Sequence, residues 1–497
     1  MRRRTLLFGV PPIALAAATG GWLWAGADTS TAGKVSFVNR LAIPPLAASR
    51  RDAAGRRVFD LRAQRGKSSF LPGPATPTWG FNGDYLGPTL RAVRGESVLV
   101  NVTNALGEET TVHWHGMHLP AAMDGGPHQP IAPGATWSPT WTVRQPAATL
   151  WYHPHPHGAT ARHVYRGLAG LFIIDEKDGL LPQNYGVDDI PVILQDRSFT
   201  SDNELDETQG FMNDSGVLGD TMLVNGTAAP YLEVTTSLVR LRVLNACNAR
   251  VLNLGLVSGA TFTLVGTDGG LLSTPHPMRR LQLSPGERAE IVLALPPGSR
   301  DVLRGFPPDL GADLLTTRFN GGEDSFDILQ LRAAPKLTPS PPLPATLAAP
   351  PALGPPVATR RFEIVSFSIN GKPMDMGRVD TVVTKDTTEV WEITNIDDLP
   401  HNFHVHDVQF QVLTVAGRKP PPELSGWKDT VYVPPQTTVR IALRFADFAD
   451  PRTPYMYHCH LLWHEDNAMM GQFVVVSEGG GQPHLEHGAG TGTGEHH

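Results

Sequence analysis

The stretch "FNGDYLGPTLRAVRGESVLVNVTN", Phe81 to Asn104, joins an Asn-Gly pair to an alternating hydrophobic strand that ends in asparagine. The same arrangement returns from Val224 to Asn245 and from Ile369 to Asn395. The three pairs begin at positions 82, 225 and 370, which is a period of about 145 residues. Asn-Gly favours tight turns, and the alternation is typical of a half-buried strand. Three copies in phase predict three related β-sandwich domains.

Length and composition agree with this division. The chain has 497 residues, enough for about three domains of roughly 150 residues. It contains 50 Gly and 45 Pro and only 18% charged residues, which favours an all-β fold of short strands and many turns. We place the domains at residues 36–180, 187–332 and 360–478. A Pro/Ala-rich stretch at 333–359 predicts an extended linker, and the Gly/His-rich residues 479–497 predict a disordered tail.

The N-terminus has the pattern of an export signal. Arginines at positions 2–4 precede an apolar run that ends in Ala25, Gly26 and Ala27. Residues 1–27 therefore predict a cleaved signal that resembles the twin-arginine type; a plain secretory signal or an uncleaved membrane anchor are the alternatives. Cleavage moves the formal net charge from −7 to −10, because it removes three arginines and no acids. We expect an exported monomer, periplasmic or extracellular, that binds no nucleic acid and no membrane unless the signal stays uncleaved.

Histidine occurs in closely spaced pairs. Nineteen histidines placed at random would give about one His-x-His pair, whereas this chain has five. They are His113/His115, His153/His155, His155/His157, His404/His406 and His458/His460. The pairs fall in the first and third repeats, and the middle repeat has a single histidine, His276. Eight imidazoles from four pairs exceed the number that one metal ion accepts, so they predict a cluster of several ions between the first and third domains.

The segment "MYHCHLLWHEDNAMM", Met456 to Met470, carries ligands for two sites. Successive side chains on a strand point to opposite faces, so His458 and His460 share one face and Cys459 points away. On the cysteine side the candidate ligands are His401, Cys459, His464 and Met469. One thiolate, two imidazoles and a thioether form the ligand set of a blue-copper site. Imidazole also suits zinc, iron and nickel, and the neighbouring blue-copper set makes copper the choice for the cluster too.

Taken together, these residues resemble a multicopper oxidase over nearly the whole chain after residue 27. The motifs are "HWHG", "HPH", "HNFHVH" and "HCHLLWHEDNAMM", and stretches such as "DGGPHQPIAPG" and "GWKDTV" are most similar to bacterial cuprous oxidases of the copper-efflux type. The resemblance implies three cupredoxin-like Greek-key domains and four copper ions, with no other cofactor. It implies a type 1 ion held by His401, Cys459, His464 and axial Met469. It implies a type 2 ion on His113 and His404, and a type 3 pair on His115, His153, His155, His406, His458 and His460.

The resemblance also implies a route for electrons. Substrate would release one electron at a time at the type 1 site, where the edge of His464 or His401 is expected to lie nearest the solvent. Cys459 would pass each electron to its covalent neighbours His458 and His460. Four electrons would then reduce O₂ to water at the cluster.

Two acids match positions that the family uses near the cluster, Asp124 and Glu465. A positioned carboxylate relays protons, which water formation requires. The structural alternative is a turn aspartate before two glycines and a surface glutamate. The histidines outside the ligand set, His118, His128, His157 and His163, are expected to support the site or face solvent. The second cysteine, Cys247, is expected to be a small buried hydrophobe, and no disulfide forms if Cys459 binds metal.

The chain departs from cuprous oxidases at the substrate end. Their methionine-rich insertion is replaced by the Pro/Ala linker, which contains no methionine. Leu399 stands where a substrate-copper methionine is expected, although Asp397 is kept and Met374 and Met376 are candidate substitutes. We therefore expect an open type 1 edge and favour a laccase-like oxidase of phenolic or aromatic substrates. A cuprous oxidase for copper homeostasis or detoxification is the alternative, and the reductant remains open among phenol, Cu(I) and Mn(II).

Other classes of protein fit the ligands less well. A copper nitrite reductase needs only a single-ion catalytic centre beside its type 1 copper, which eight paired imidazoles exceed. A copper-free cupredoxin scaffold that serves as an interaction protein would not need Cys459 and ten histidine ligands. A passive copper store is separated from an oxidase only by a test of turnover.

Overall fold

The computed structural model describes residues 28–175, 181–349 and 353–479. The predicted signal (1–27) and residues 480–497 of the predicted tail lie outside the described residues. The fold is 48% strand and 5% helix, which confirms the all-β prediction. The described α-helices are short: Thr160–Tyr165, Leu314–Phe319 and Leu462–Asp466. None of the described helices has the length and apolar character needed to cross a membrane.

Two sheets built from the first repeat enclose one hydrophobic core. The six-stranded sheet consists of Ser49–Arg51, Arg57–Ser68, Thr76–Phe81, Ser97–Ala105, Thr136–Trp137 and Thr140–Thr142. The four-stranded sheet consists of Leu90–Val93, His113–His115, Ala148–His153 and Gly170–Asp175. Burial alternates along the strand Ser97–Ala105, so that Val98, Val100 and Val102 face the core, as the sequence pattern predicts.

The middle repeat contributes an eight-stranded sheet, a six-stranded sheet and a second core. The eight-stranded sheet consists of Asp189–Phe199, Leu205–Asp206, Thr221–Val224, Thr227–Ala228, Val239–Asn245, Phe262–Thr267, Gly270–Met278 and Arg288–Leu293. The six-stranded sheet consists of Asn39–Arg40, Pro230–Thr236, Leu252–Leu256, Leu281–Leu283, Arg300–Phe306 and Phe326–Thr338. Cys247 is buried in this core, as expected, and both cysteines are free.

The third repeat forms two sheets around a third core, which includes Cys459 and Met469. The six-stranded sheet consists of Pro356–Val365, Ser368–Ile369, Thr387–Asn395, Phe410–Val415, Trp427–Lys428 and Thr437–Phe445. The five-stranded sheet consists of Thr381–Thr384, His401–Val405, Thr430–Val433, Asp450–His458 and Met470–Val476. Short 3₁₀ turns lie at Ala121–Met123 and Pro422–Leu424.

The three Asn-Gly pairs perform the same structural task in each repeat. Their asparagines, Asn82, Asn225 and Asn370, all have positive φ, at 57°, 52° and 55°. Asparagine tolerates this left-handed conformation better than most residues. In each copy the side-chain oxygen accepts a hydrogen bond from a strand N–H, that of Arg62, Ile193 or Glu363, at 2.6, 2.8 and 2.8 Å. The turn is therefore tied to an early strand of its own repeat, Arg57–Ser68, Asp189–Phe199 or Pro356–Val365.

The asparagines that end the repeated strands also behave alike. Asn104, Asn245 and Asn395 are fully buried, and each side-chain oxygen accepts from the N–H two residues later. Each side-chain amide donates to two backbone carbonyls. A buried amide must satisfy its polar atoms, and here it does so by closing the following loop.

Two predicted boundaries differ from the structure. The proposed linker (333–359) is partly strand, since Phe326–Thr338 and Pro356–Val365 extend into it at both ends. Ala333 is buried in the middle core and Leu347 N donates to Ser273 O at 3.0 Å, so part of the linker packs on the middle repeat. The strand Asn39–Arg40, which we assigned to the first domain, pairs in parallel with Pro230–Thr236 of the middle repeat. Composition alone does not reveal these long-range pairings.

The first and third repeats interlock beside their paired histidines. The helix Thr160–Tyr165 follows "HPHPHG", and the helix Leu462–Asp466 follows "HCH". Asp466 accepts hydrogen bonds from the N–H groups of Thr160 and Ala161 at 2.8 and 2.9 Å. A carboxylate at the start of a helix satisfies N–H groups that have no partner within the helix. This contact brings the two histidine-rich segments together.

Candidate metal centre

Three side chains from two segments converge in the third core. His401 begins the strand His401–Val405, Cys459 follows the strand Asp450–His458, and His464 lies on the helix Leu462–Asp466. The Cys459 Sγ atom lies 3.7 Å from His401 Nδ1 and 3.5 Å from His464 Nδ1, and the two Nδ1 atoms are 3.0 Å apart. All three side chains are fully buried. One sulfur and two nitrogens therefore face a common point.

The protonation of this group suits a metal site. Burial raises the pKa of the Cys459 thiol to about 12, and burial lowers the pKa of His464 to about 3. The Nε2–H of His464 donates to the carbonyl of Asp214 at 2.8 Å, so the ring is held as the tautomer whose Nδ1 carries a lone pair. A neutral imidazole is the metal-binding form, and a thiol that coordinates a metal binds as the thiolate and releases its proton to the solvent.

Met469 lies next to this group, as predicted. It is fully buried in the same core as Cys459, and its carbonyl accepts the N–H of Cys459 at 3.2 Å. Its own N–H donates to the carbonyl of His464 at 3.0 Å. The loop that joins the three residues is therefore closed by its own backbone, which keeps Met469 beside Cys459 and His464.

The expected open edge is wrong. Both His401 and His464 are fully buried, and the Asp214 carbonyl covers the Nε2 atom of His464. Asp214 belongs to the middle repeat, in a segment held by Asn213 and Ser215, which bond to Gly216 and Asn320. The absence of a methionine-rich insertion does not expose the site, because the segment from the middle repeat takes up the space above it.

The eight histidines predicted as cluster ligands form a second, larger group between the first and third repeats. His115, His153 and His460 make one set of three, and His155, His406 and His458 make another, with ligand atoms within 4.8 Å of one another in each set. His113 and His404 complete the cluster and share a further set with His406. The structure therefore brings together all eight histidines that the paired pattern singles out.

Nitrogen atoms without partners point into this cluster. The Nδ1 atoms of His113, His153, His404 and His458 face the backbone carbonyls of Asp124, Pro154, Asp429 and Cys459 at 2.8–3.0 Å. The Nε2 atoms of His113, His153 and His404 are buried without a hydrogen bond. The Nε2 atom of His458 lies 3.2 Å from those of His155 and His406. Buried nitrogen lone pairs left without hydrogen-bond partners at one centre fit a set of metal ions.

His115 is oriented the other way. Its Nε2 lies 3.0 Å from Oδ1 of Asp429, and its Nδ1 is the buried atom without a partner. Burial and the nearby rings and Arg288 lower the pKa of His115 well below its usual value. Asp429 thus holds the ring so that Nδ1 faces the other histidines.

The two predicted acids lie against the cluster. Asp124 Oδ2 is 2.6 Å from His406 Nδ1, and its Oδ1 is 3.4 Å from His113 Nδ1. Burial opposes ionisation of Asp124, but the adjacent His406 and His113 hold its pKa well below the usual value. Glu465 is 1% exposed, with Oε1 3.2 Å from His155 Nδ1 and Oε2 3.3 Å from His458 Nδ1. Burial raises the pKa of Glu465 well above its usual value.

Strand alternation explains only part of the division between the two sites. The strands end at His153 and His458, so His155 and His460 lie beyond them. His153 and His155, two residues apart, join different sets of three. The division around Cys459 nevertheless holds, with Cys459 in the third core and His458 and His460 in the cluster.

The histidines that we expect to support the site or to face solvent have other surroundings. His118 contacts Asp447 and Gln409, His163 contacts Thr110 and Glu108, and His128 contacts Gln472. His157 is exposed. Sequence reasoning missed Asp214, Asn402 and Asp429, which contact ligand side chains of both groups. Asn402 and Asp429 lie within the quoted motifs "HNFHVH" and "GWKDTV", which is the one signal that could have directed attention to them.

Comparison with known proteins agrees with this geometry. The multicopper oxidase family matches residues 62–179 and 347–479. A multicopper oxidase, mco, of Staphylococcus haemolyticus is 36% identical over 88% of this chain and 93% of its own. Cell division protein FtsP of Dickeya dadantii is 36% identical over 93% of this chain and 98% of its own.

A solved structure is equally similar. The laccase-like multi-copper oxidase CueO from the lignin-degrading bacterium Ochrobactrum sp., described with oxidase activity towards lignin model compounds, superposes with a TM-score of 0.79. It is 36% identical, over 88% of this chain and all of that chain. The fold is therefore cupredoxin-like, as expected. With a buried Cys-His-His group beside a cluster of eight histidines, the chain belongs to the multicopper oxidase family.

Proposed function

We propose that this protein is a laccase-like oxidase that couples one-electron oxidation of phenolic or aromatic substrates to reduction of O₂ to water. The observation that carries the proposal is the pairing of the two ligand groups through Cys459, whose neighbours His458 and His460 enter different three-histidine sets. When four coppers are bound, the Cys459 site supplies one-electron transfer and the histidine cluster supplies the four-electron reduction of O₂.

The chain's own residues would hold the ions as follows. His401, Cys459, His464 and Met469 would hold the type 1 ion. His113 and His404 would hold the type 2 ion, and the type 3 pair would take His115, His153 and His460 on one side and His155, His406 and His458 on the other. The two sets of three histidines support this division.

The two acids would serve the protons of water formation. Burial raises the pKa of Glu465 well above its usual value, and its two oxygens lie 3.2 Å from His155 Nδ1 and 3.3 Å from His458 Nδ1, one ring from the first repeat and one from the third. Glu465 is therefore the proton donor in this proposal. Asp124 stays ionised and holds His406 and His113 in position.

The surface above the Cys459 site favours an aromatic donor. Phe211 and Met212, in the segment that contains Asp214, are 61% and 51% exposed, and Trp463, beside His464, is 39% exposed. Phe211 packs edge-on against Phe319, and the Cβ of Trp463 lies against Gly216. Exposed aromatic groups at one place mark a binding surface for apolar ligands. Electrons would enter through this surface and the Asp214–His464 hydrogen bond, because neither ring edge meets the solvent.

One feature supports Cu(I) as a second substrate. Asp397 Oδ2 lies 3.7 Å from His401 Nε2, and the nearby imidazole of His401 holds the pKa of Asp397 well below its usual value. Met374 contacts the loop that carries Met469, since its N–H donates to the Ala468 carbonyl at 2.9 Å. Thioether ligands suit cuprous copper. Cuprous oxidase activity is therefore the second candidate.

The two candidates are separated by kcat/KM for a phenol and for Cu(I) on one copper-loaded sample. We expect Phe211→Ala to lower kcat/KM for the phenol by about fivefold, for a loss of roughly 1 kcal/mol of apolar contact. Cu(I) oxidation should be unchanged in this variant and reduced in Asp397→Asn. A phenol that is not oxidised, with rapid Cu(I) turnover, would reverse the ranking. Absence of O₂ uptake with either reductant would favour a copper store or a scaffold.

The axial ligand makes a separate prediction. Met469→Leu should raise the type 1 reduction potential, since a weak thioether bond favours the oxidised ion and leucine provides none. A redox titration followed at the blue absorption band measures the shift. Met470→Leu is the matched control, because Met470 lies on the strand Met470–Val476, outside the ligand set proposed here. An unchanged potential in Met469→Leu would show that its sulfur does not bind the metal.

The remaining proposal concerns location. We infer export across the cytoplasmic membrane by the twin-arginine route, from the arginines and apolar run of residues 1–27. Replacement of Arg2, Arg3 and Arg4 by lysine should keep the protein in the cytoplasm. Fractionation of cells that produce the parent protein or the lysine variant measures the share of each that is exported. Unchanged export of the lysine form would favour a plain secretory signal.

A further inference from the structure

We propose that the turn Ser284–Arg288 of the middle repeat positions ligands of both copper groups, through Asn402 on one side and Asp429 on the other. The middle repeat provides no ligand of its own in the assignment above. Its turn nevertheless touches the ligand shell directly: Gly286 has a φ of 87°, and a Cβ there would lie 3.0 Å from Cγ of His460. The inference rests on the proposed copper assignment.

Asn402 connects the turn to the Cys459 group. Its Nδ2 donates to Ser284 Oγ at 3.1 Å and to the Pro285 carbonyl at 2.8 Å, which fixes which end of the amide faces which partner. Its Oδ1 then accepts the N–H of His460 at 2.5 Å and lies 3.6 Å from Cys459 Sγ. The side chain is fully buried. One amide thus holds the backbone between the two groups and aims an oxygen at the sulfur.

That oxygen has a consequence for the electron affinity of the site. The negative end of the amide dipole, 3.6 Å from the sulfur, disfavours the extra electron of the reduced state in a buried, low-dielectric position. Polar contacts around the cysteine sulfur tune the potential of such sites. Asn402 therefore lowers the type 1 potential, and its orientation depends on Ser284 and Pro285.

Arg288 connects the turn to the histidine cluster. Its two terminal nitrogens donate to the two oxygens of Asp429 at 2.7 and 2.5 Å, and both side chains are fully buried. Asp429 Oδ1 reaches His115 Nε2 at 3.0 Å, and the Asp429 carbonyl accepts from His404 Nδ1 at 2.8 Å. A planar guanidinium fixes a carboxylate in a way that a lysine does not. Arg288 therefore orients one proposed type 3 ligand and one proposed type 2 ligand.

The turn is itself anchored by a buried charge network. Arg288 N donates to Asp268 Oδ1 at 2.7 Å, while Lys428 Nζ lies 3.0 Å from Asp268 Oδ2 and 2.7 Å from Glu287 Oε1. Lys428 directly precedes Asp429 in the chain. Buried ion pairs of this kind fix one arrangement, because any alternative leaves a buried charge unpaired.

The test compares Arg288→Lys with Arg240→Lys in the copper-loaded protein. Arg240 is also a buried arginine of the middle repeat, and it pairs with the carboxylate of Glu290. In the part of the chain that the structure describes, Arg240 and Glu290 make no hydrogen bond or ion pair with a proposed ligand. After dialysis against a chelator, the type 2 EPR signal of Arg288→Lys should fall about tenfold, the typical cost of losing an outer-shell partner of a ligand. Its blue absorption should persist. Arg240→Lys should retain both signals.

A second pair of variants tests Asn402. Asn402→Ala removes the oxygen and should raise the type 1 potential, whereas Asn402→Asp adds negative charge and should lower it. If Asn402 had a purely structural role, the type 1 potentials of the two variants would shift in the same direction or stay unchanged. Either result would overturn the proposal. Equal losses in Arg288→Lys and Arg240→Lys would also overturn it. If Arg288→Lys does not fold, Asp429→Asn replaces it in the same EPR measurement.

All these measurements are made without a reducing substrate. A protein with the expected spectra but no O₂ uptake would contradict the proposed oxidase and leave the positioning role standing. Normal turnover, with unchanged spectra and potentials in every variant, would contradict the positioning role and leave the proposed oxidase standing.

Discussion

Cys459→Ser is expected to abolish the blue absorption of the copper-loaded protein and to reduce oxidation of both phenol and Cu(I) to the uncatalysed background. Serine is isosteric, but its hydroxyl provides no thiolate, which is the soft ligand that a type 1 site needs. The eight histidines of the cluster do not contain this residue, so the type 2 EPR signal should remain. Visible absorption, EPR and O₂ uptake on one sample measure the three quantities.

Cys247→Ser is the matched control for this variant. Cys247 is the other cysteine of the chain, it is buried in the middle core, and its Sγ lies 3.8 Å from the Leu194 carbonyl. We expect a modest loss of stability with colour and turnover unchanged. Retention of blue colour in Cys459→Ser, or its loss in Cys247→Ser, would contradict the assignment of the type 1 site.

Glu465→Gln should lower kcat by about 10²-fold, the low end of the range for loss of a positioned general acid. Glutamine keeps the size and polarity of the side chain but cannot release a proton. Copper content and blue absorption should stay as in the parent protein, because Glu465 contacts ligands and is not one in the proposed assignment. Steady-state O₂ uptake at saturating substrate measures the change.

Asp466→Asn controls for the adjacent position. Asp466 accepts from the N–H groups of Thr160 and Ala161 and so joins the two helices beside the cluster. Its replacement should lower the unfolding temperature and leave kcat close to the parent value. An equal fall of kcat in the two variants would indicate that Glu465 acts through packing and not through proton supply.

Much of the architecture could be predicted because it depends on local chemistry. The Asn-Gly pairs require positive φ at the asparagine, and the alternating strands require one buried face, so both features repeat visibly along the chain. The strand pairings that displace the predicted boundaries join residues far apart, as Asn39 does with Pro230. No local pattern encodes such a partner.

The candidate ligands could likewise be predicted from the sequence, since histidine, cysteine and methionine at short spacing are recognisable as metal ligands from residue type alone. His458, Cys459 and His460 are consecutive, and their separation into two groups follows from their adjacency. The residues that orient these ligands could not be predicted in the same way. Asp214, Asn402 and Asp429 are ordinary polar residues, and each becomes important only because folding places it within about 3–4 Å of a ligand atom.

The sequence by itself therefore determined the fold class, the repeat and which side chains could bind metal, because each depends on residue identity and spacing along one segment. Only the tertiary structure decided which histidines share a set, which carbonyl covers His464, and how Arg288 of the middle repeat reaches His115 through Asp429. These depend on contacts between segments far apart in the chain, such as His115 and Asp429, which are 314 residues apart. The packing of all three repeats, and not any one stretch, sets those distances.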